Sequence, residues 1–214
     1  CNPFNPAIVG RCFLLVSFPA AMTSWPVAGQ QMAYTDAVTG ATPLSLMKTA
    51  IKTGDVSVLQ GLPDTVDMLL GNVANGYGAG TIGEVCALAL IAGLIWMLWR
   101  RVITWHIPVT ILATVFVLSG ALHVANPVYA NPMAVVLSGG LMLGAIFMAT
   151  DYVTSPMTHR GQVIYAVGIG VLTVVIRNWG SYPEGMSFAI LIMNAFTPLI
   201  NFYVKPKRFG EVSR

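Results

Sequence analysis

Residues 80–101 read GTIGEVCALALIAGLIWMLWRR, an apolar run closed by two arginines, and a second apolar run, 103–122, starts almost at once. A helix that crosses the hydrocarbon core of a bilayer needs roughly 20 mostly apolar residues. Beyond this pair, runs of the same kind occupy 133–150, 161–176 and 186–203, and a shorter one occupies 7–22. These six segments predict an all-α integral membrane protein, a polytopic helical bundle. The runs are continuous rather than alternating, and spanning backbone must satisfy its own hydrogen bonds, which excludes a barrel. Several runs are slightly under length, which suits tilted or broken helices.

Composition agrees. With 56% hydrophobic and 9% charged residues, the chain has too little polar surface to coat a soluble globule of 214 residues. The net charge of +3 is carried beside apolar runs rather than in a stripe, so nucleic acid is not an expected partner and the bilayer is. Cys1, Cys12 and Cys86 lack CxxC spacing, and His106, His123 and His159 share no ligand spacing, so neither a disulfide framework nor a metal site is expected. The chain opens on Cys1 and shows no leader pattern, and the natural N-terminus is expected to lie upstream.

Lys and Arg beside the spans set the orientation. Counted through alternate loops, Arg100, Arg101, Arg160, Lys205, Lys207, Arg208 and Arg214 fall on one side, which predicts the cytoplasm. The other side receives Lys48, Lys52 and Arg177 and the one long polar loop. The expected division is therefore a first membrane segment (1–22), an outward loop with short helices (23–78), a five-span membrane domain (79–204) and a cytoplasmic tail (205–214). Trp25, Trp99, Trp105 and Trp179 stand near span ends, as interfacial anchors do.

The opening CNPFNPAIVGRCFLLVSFPAAMTSWP and residues 125–156, ANPVYANPMAVVLSGGLMLGAIFMATDYVTSP, each begin with paired Asn-Pro, run apolar and leave through a polar stretch containing Pro. This reads as a weak internal repeat, and Gly139, Gly140 and Gly144 in the second copy suit a discontinuous helix. Asn-Pro is also a general helix-start signal, and small residues in membrane helices serve close packing.

In the long loop, residues 33–54 read AYTDAVTGATPLSLMKTAIKTG. Thr42 is a good N-cap, Pro43 a good first helical residue and Gly54 a stop. The start of such a helix offers N–H groups and partial positive charge to a phosphate on or near Thr42, and Lys48 adds counter-charge one to two turns on. Gly40 and Ala41 leave room for a bulky group to approach the backbone. Read from these residues alone, an ordinary capped surface helix is the better explanation of the pattern.

Thr39-Gly40-Ala41-Thr42, preceded by Asp36, resembles the (S/T)GAT flavinylation motif of one family of membrane redox subunits. The family joins the D-type membrane component of the Rnf ferredoxin:NAD oxidoreductase complex and the B-type component of the sodium-translocating NADH:quinone reductase. The likeness extends to NPAIVGRCFLLVSFPAAMTSWP (5–26), ATPLSLMKT (41–49), GTIGEVCALALIAG (80–93), FMATDYVTSPMT (147–158) and IRNWGSYPEGMSFAILIMNAFTPLIN (176–201). MTSW and the tail KPKRFG lean toward the Rnf component. The resemblance implies a urea-channel-like fold and FMN joined through its phosphate to the Thr42 hydroxyl on the outer side of a bacterial inner membrane. It also implies a second, non-covalent flavin such as riboflavin. It implies electron transfer coupled to Na⁺ or H⁺ movement, partner subunits carrying iron–sulfur and flavin centres with the NADH- and ferredoxin-side subunits, and a flavin transferase. Chains of the family are longer, with about ten spans, and this sequence matches from the middle of the first half onward.

Intramembrane polar groups are the default candidates for an ion path: Glu84, Asp151 and Asn194, with Thr197 and Arg11. Each has a plainer role available. Asp151 can cap a span end, Asn194 can bond across helices, and Arg11 can snorkel or pair with Glu84, while Glu184 can cap the sixth span or contact a flavin ring. Two other functions fit the bundle: a channel or solute transporter of the same fold, and a scaffold component with a vestigial motif.

Overall fold

The computed structural model describes residues 3–24, 42–71, 86–182 and 184–205. Among them the chain forms ten α-helices: α1 (Pro6–Ser17), α2 (Pro19–Thr23), α3 (Pro43–Thr53), α4 (Thr65–Leu70), α5 (Ala87–Trp99), α6 (His106–Ala125), α7 (Pro132–Leu137), α8 (Leu141–Leu143), α9 (His159–Trp179) and α10 (Met186–Tyr203). A 3₁₀ turn, Val56–Gly61, follows α3, and α8 runs into a π-helical turn, Gly144–Met148, closed by the Ala149 N–H on the Gly144 carbonyl at 2.8 Å.

α6, α9 and α10 are long and apolar enough to cross a membrane, while α1 and α5 are apolar but shorter. At 12 residues α1 is about 18 Å long, short of the roughly 30 Å hydrocarbon core, and it stops where Phe18 leaves helical geometry before Pro19. The run expected at 133–150 is not one helix but α7, a break at Ser138–Gly140, α8 and the π turn, as its glycines foretold. Gly139 has φ +64°, a left-handed conformation that costs a Cβ-bearing residue and so terminates α7.

α6 and α9 form the densest pair, and Gly170 makes it possible: a Cβ there would stand 2.7 Å from the Thr114 Cβ. The broken segment is wrapped by the rest of the bundle. Leu141 and Ala145 pack among Ile8 and Cys12 of α1, Ile111 of α6, Tyr165 and Ile169 of α9 and Ile190 of α10. At Gly144 a Cβ would fall 2.5 Å from the Met186 Cγ, so the π turn lies directly on α10.

Loops gather at two ends. At one, Thr104 bonds Gln162 at 3.0 Å, His106 stacks on His159 at 4.4 Å, and the Met157 N–H donates to Asn201 at 3.2 Å. This end carries Arg100, Arg101, Arg160 and Lys205. At the other, α3 packs on Ala130 and Ala134 and Lys48 reaches Tyr182. Of the basic residues that sequence counting placed on one side, Arg100, Arg101, Arg160 and Lys205 thus lie at one end of the bundle, opposite Lys48, Lys52 and Arg177, while Lys207, Arg208 and Arg214 lie outside the described residues.

The two Asn-Pro segments start alike and run oppositely. Asn5 caps α1 by accepting from the Ala7 N–H at 3.0 Å, and Asn131 caps α7 by accepting from Met133 at 3.1 Å, each with Pro next in the first helical position. α1 starts beside Asp151 and Thr154, at the arginine-rich end, whereas α7 starts beside α3. The two segments enter the bundle from opposite ends, the relation found in inverted-repeat membrane proteins.

Candidate functional site

Thr42 sits where its sequence context requires. Its backbone is extended, its hydroxyl accepts from the Ser45 N–H at 3.3 Å, and the Ser45 hydroxyl donates to the Thr42 carbonyl at 2.7 Å. Gly54 ends α3 in the left-handed region, its N–H on the Ala50 carbonyl at 2.9 Å. Thr39, Gly40, Ala41 and Asp36 lie outside the described residues, as does Glu84.

The inward face of α3 is Leu44, Met47, Lys48 and Ala50. Leu44 and Met47 join Met68 of α4 and Ala130 and Ala134 at the start of α7 in a small apolar core of their own. Lys48 is only 8% exposed and donates to the Tyr182 carbonyl at 2.6 Å, tying α3 to the α9–α10 connection. Burial, with Lys52 adding repulsion, holds the Lys48 ammonium below its usual pKa. Expected as counter-charge for a phosphate at Thr42, Lys48 instead points into the bundle.

Beneath α3 lies the α7–α8 break, and the side chain that organises it is Arg177 of α9. It is 5% exposed, and its guanidinium donates to the Val135 carbonyl at 2.8 Å and to the Ser138 carbonyl at 3.1 Å. These are the carbonyls of Val135, in the last turn of α7, and of its cap Ser138; the Val135 carbonyl also accepts from the Ser138 hydroxyl at 3.2 Å, and a cation suits the partial negative charge of a helix end. A Cβ on Gly139 would lie 3.3 Å from both the Arg177 Nη2 and the Leu44 Cδ2, so α3, the break and α9 meet at this glycine. A cleft of about 30 Å³ remains between them, with Lys48 and Arg177 in its lining.

The remaining charged candidates are distributed. Arg11 forms an ion pair with Glu184 at 2.7 Å, so Glu184 joins α1 to the start of α10. The Asp151 carboxylate accepts from the Thr154 hydroxyl at 3.0 Å, and Thr197 of α10 donates to the Thr154 carbonyl at 3.0 Å. Asn194, fully buried, accepts from the Tyr165 hydroxyl at 2.7 Å, and its Nδ2 has no partner among the described residues. Asp151 lies at the arginine-rich end and Asn194 in the interior, so they do not share one cavity with the α3 site. Sequence reasoning counted Arg177 only as an orientation charge, because both carbonyls that hold it belong to a distant segment.

A profile of the NQR2, RnfD, RnfE family matches residues 1–210. The chain is 44% identical over 209 residues to the D-type component of the Na⁺-translocating ferredoxin:NAD⁺ oxidoreductase complex of Acetobacterium woodii, covering 98% of this chain and 59% of that one. It is 41% identical over 216 residues to the D-type component of the proton-translocating ferredoxin:NAD⁺ oxidoreductase complex of Clostridium ljungdahlii, covering 98% and 62%. Against the D-type component of the ion-translocating oxidoreductase complex of Halorhodospira halophila it is 40% identical over 229 residues, covering 98% and 63%. The chain therefore spans about three fifths of the length of the curated relatives it matches.

Proposed function

The chain belongs to the NQR2, RnfD, RnfE family, and we propose that it is the membrane electron-transfer subunit of an ion-translocating ferredoxin:NAD oxidoreductase complex, with FMN carried as a phosphoester on Thr42. The observation that carries the reading is the coincidence, at one residue, of the last Thr of Thr39-Gly40-Ala41-Thr42 with the N-cap of a seated helix.

The first turn of α3 fits the phosphate of such a group. Ser45, whose N–H and hydroxyl already address Thr42, and the positive end of α3 would hold that phosphate. Bound FMN supplies one- and two-electron redox chemistry at that point, and the protein's share is position and electrostatics. Leu44 and Met47 anchor the attachment helix to the bundle, while Lys48 and Arg177 place two positive charges beneath it. In this reading the α3 end faces outward and the arginine-rich end the cytoplasm. Partner subunits carry the iron–sulfur and nicotinamide chemistry, and a flavin transferase attaches the FMN.

Intact-chain mass spectrometry with in-gel flavin fluorescence, on protein made alongside a flavin transferase, tests this. Wild type is expected to carry one FMN phosphoester and Thr42→Ala none, while Thr39→Ala retains some. Absence of the added mass from wild type would move a channel or transporter of the same fold to the front.

A further inference from the structure

The turn between α5 and α6 carries a residue that its backbone does not favour. α5 closes with the Arg101 N–H on the Leu98 carbonyl at 3.0 Å and the Val102 N–H on the Met97 carbonyl at 2.9 Å, an ending whose left-handed position is most often glycine. α3 and α4 end in the left-handed region with Gly54 and Gly71, but here Arg101 takes φ +54°. Among the described residues it is the one non-glycine residue with positive φ, and an outlier of this kind points to work for the side chain. Arg101 lines a surface cavity of about 210 Å³ together with Thr104, Thr150, Tyr152, Ser155 and Gln162. Most of that polar wall is already bonded: Thr104 donates to Gln162 at 3.0 Å, Thr150 to the Ile146 carbonyl at 2.7 Å and Tyr152 to the Val102 carbonyl. The Arg101 guanidinium and the Ser155 hydroxyl are left as donors, and none of the described residues lining the cavity is a carboxylate. Asp151 lines a separate cavity with Asn5, and among the described residues no carboxylate pairs with Arg100, Arg101 or Arg160.

We propose that this cavity holds the phosphate of an anionic phospholipid, with the Arg101 guanidinium and the Ser155 hydroxyl donating to its oxygens. Three observations support it. The charge is complementary: a guanidinium matches phosphate oxygens with two parallel donors, and Arg100 and Arg160 add positive charge at the same end of the bundle. The depth is right for a headgroup. Trp99 and Trp105 flank the turn, both largely exposed, as residues of the membrane interface do. An acyl chain also has somewhere to lie, because α5 leads away from the turn into the apolar layer with Leu88, Ile95 and Trp96 turned outward. Basic pockets at helix ends beside a membrane surface select anionic headgroups, each such residue adding about fivefold in binding. The bound lipid would tie the α5–α6 turn to residues 150–155, and the inference needs only the membrane fold, not the flavin.

Photocrosslinking locates the lipid. The complete complex is reconstituted in phosphatidylcholine vesicles doped with a diazirine-bearing phosphatidylglycerol, or with phosphatidylcholine bearing the same diazirine, and adducts are mapped by peptide mass spectrometry after illumination. The site predicts adducts within 99–106 and 150–156, about fivefold fewer with the phosphatidylcholine probe and about fivefold fewer in Arg101→Asn. Asn tolerates the left-handed backbone, so Arg101→Asn is expected to keep the unfolding midpoint of wild type while losing the lipid. Arg100→Gln removes the neighbouring charge, which does not line the cavity, and is expected to keep most of the wild-type yield. Equal yields from the two probes, or equal losses in Arg100→Gln and Arg101→Asn, would overturn the site in favour of general apolar contact or diffuse surface charge. Loss of the phosphatidylglycerol adducts in millimolar inorganic phosphate would assign the cavity to a free anion and overturn it too. Should Arg101→Asn not assemble, wild type decides by competition: unlabelled phosphatidylglycerol should displace the probe and unlabelled phosphatidylcholine should not, and equal displacement by both counts against the site.

Discussion

Thr42 caps α3 and, in the proposed function, bears the FMN phosphoester, two tasks that substitution can separate. Thr42→Ala removes the cap and costs α3 about 1 kcal/mol. Thr42→Asp keeps a capping oxygen and adds a charge that suits a helix start, yet offers no hydroxyl for a phosphoester. The expected outcome is that both variants lose flavin fluorescence, while tryptic cleavage within α3, which holds Lys48 and Lys52, accelerates only in Thr42→Ala. Equal protection of the two would mean that the bond to Ser45 contributes nothing. Gly139→Ala is the matching test at the break: φ +64° and a Cβ 3.3 Å from both Arg177 and Leu44 together predict a loss of about 1–2 kcal/mol, read as a lower unfolding midpoint. These two sites differ in legibility. Thr42 was readable because its cap, its proline and its stop are contiguous in sequence. The role of Arg177 was not, because the carbonyls that hold it are 39 and 42 positions away and main-chain acceptors leave no residue signature.

Among the helices, α3 carries a buried charge and so a pH dependence. The Lys48 pKa is lowered from 10.5, by burial first and then by Lys52. A depressed folded pKa means that, between that value and 10.5, the undocked helix binds more protons than the docked one, so docking strengthens as pH rises through this window and is constant below it. The stability of wild type measured against Lys48→Met is therefore expected to climb on the alkaline side just below 10.5, with other titrations cancelling in the difference. A difference that falls there would refute the burial of Lys48. The α6–α9 pair predicts a steric effect instead. Gly170→Ala puts a Cβ 2.7 Å from the Thr114 Cβ, and overpacking should cost about 1–3 kcal/mol despite the better helix propensity of Ala. The helices themselves were readable as apolar runs, and so was the break, from Asn131-Pro132 and the Gly139-Gly140 pair. The lengths of α1 and α5 were not, because an apolar run shows what tolerates lipid and not where the chain bends.

Sidedness joins sequence to structure across the entire bundle. Lys/Arg counting is a rule about chain insertion and uses no contacts, whereas the structure sorts the loops by which of them touch. Both place Arg100, Arg101, Arg160 and Lys205 together, away from Lys48, Lys52 and Arg177. The opposed starts of α1 and α7 follow from the same alternation, so the two Asn-Pro segments enter the bundle from opposite ends. What sequence could not supply is the seating of α3 over the break, since Leu44, Met47, Ala130 and Ala134 meet only after the bundle closes. The test is chemical. Cysteines placed at Lys52 and at Arg160, in a background without native cysteines, should react with a membrane-impermeant maleimide from opposite faces of sealed cells and inverted vesicles. Labelling of Lys52→Cys in intact cells and of Arg160→Cys only after inversion would set α3 on the outer face, as the proposed orientation requires. Labelling of both from one face would break the alternation on which the orientation and the opposed entry of the two segments both depend.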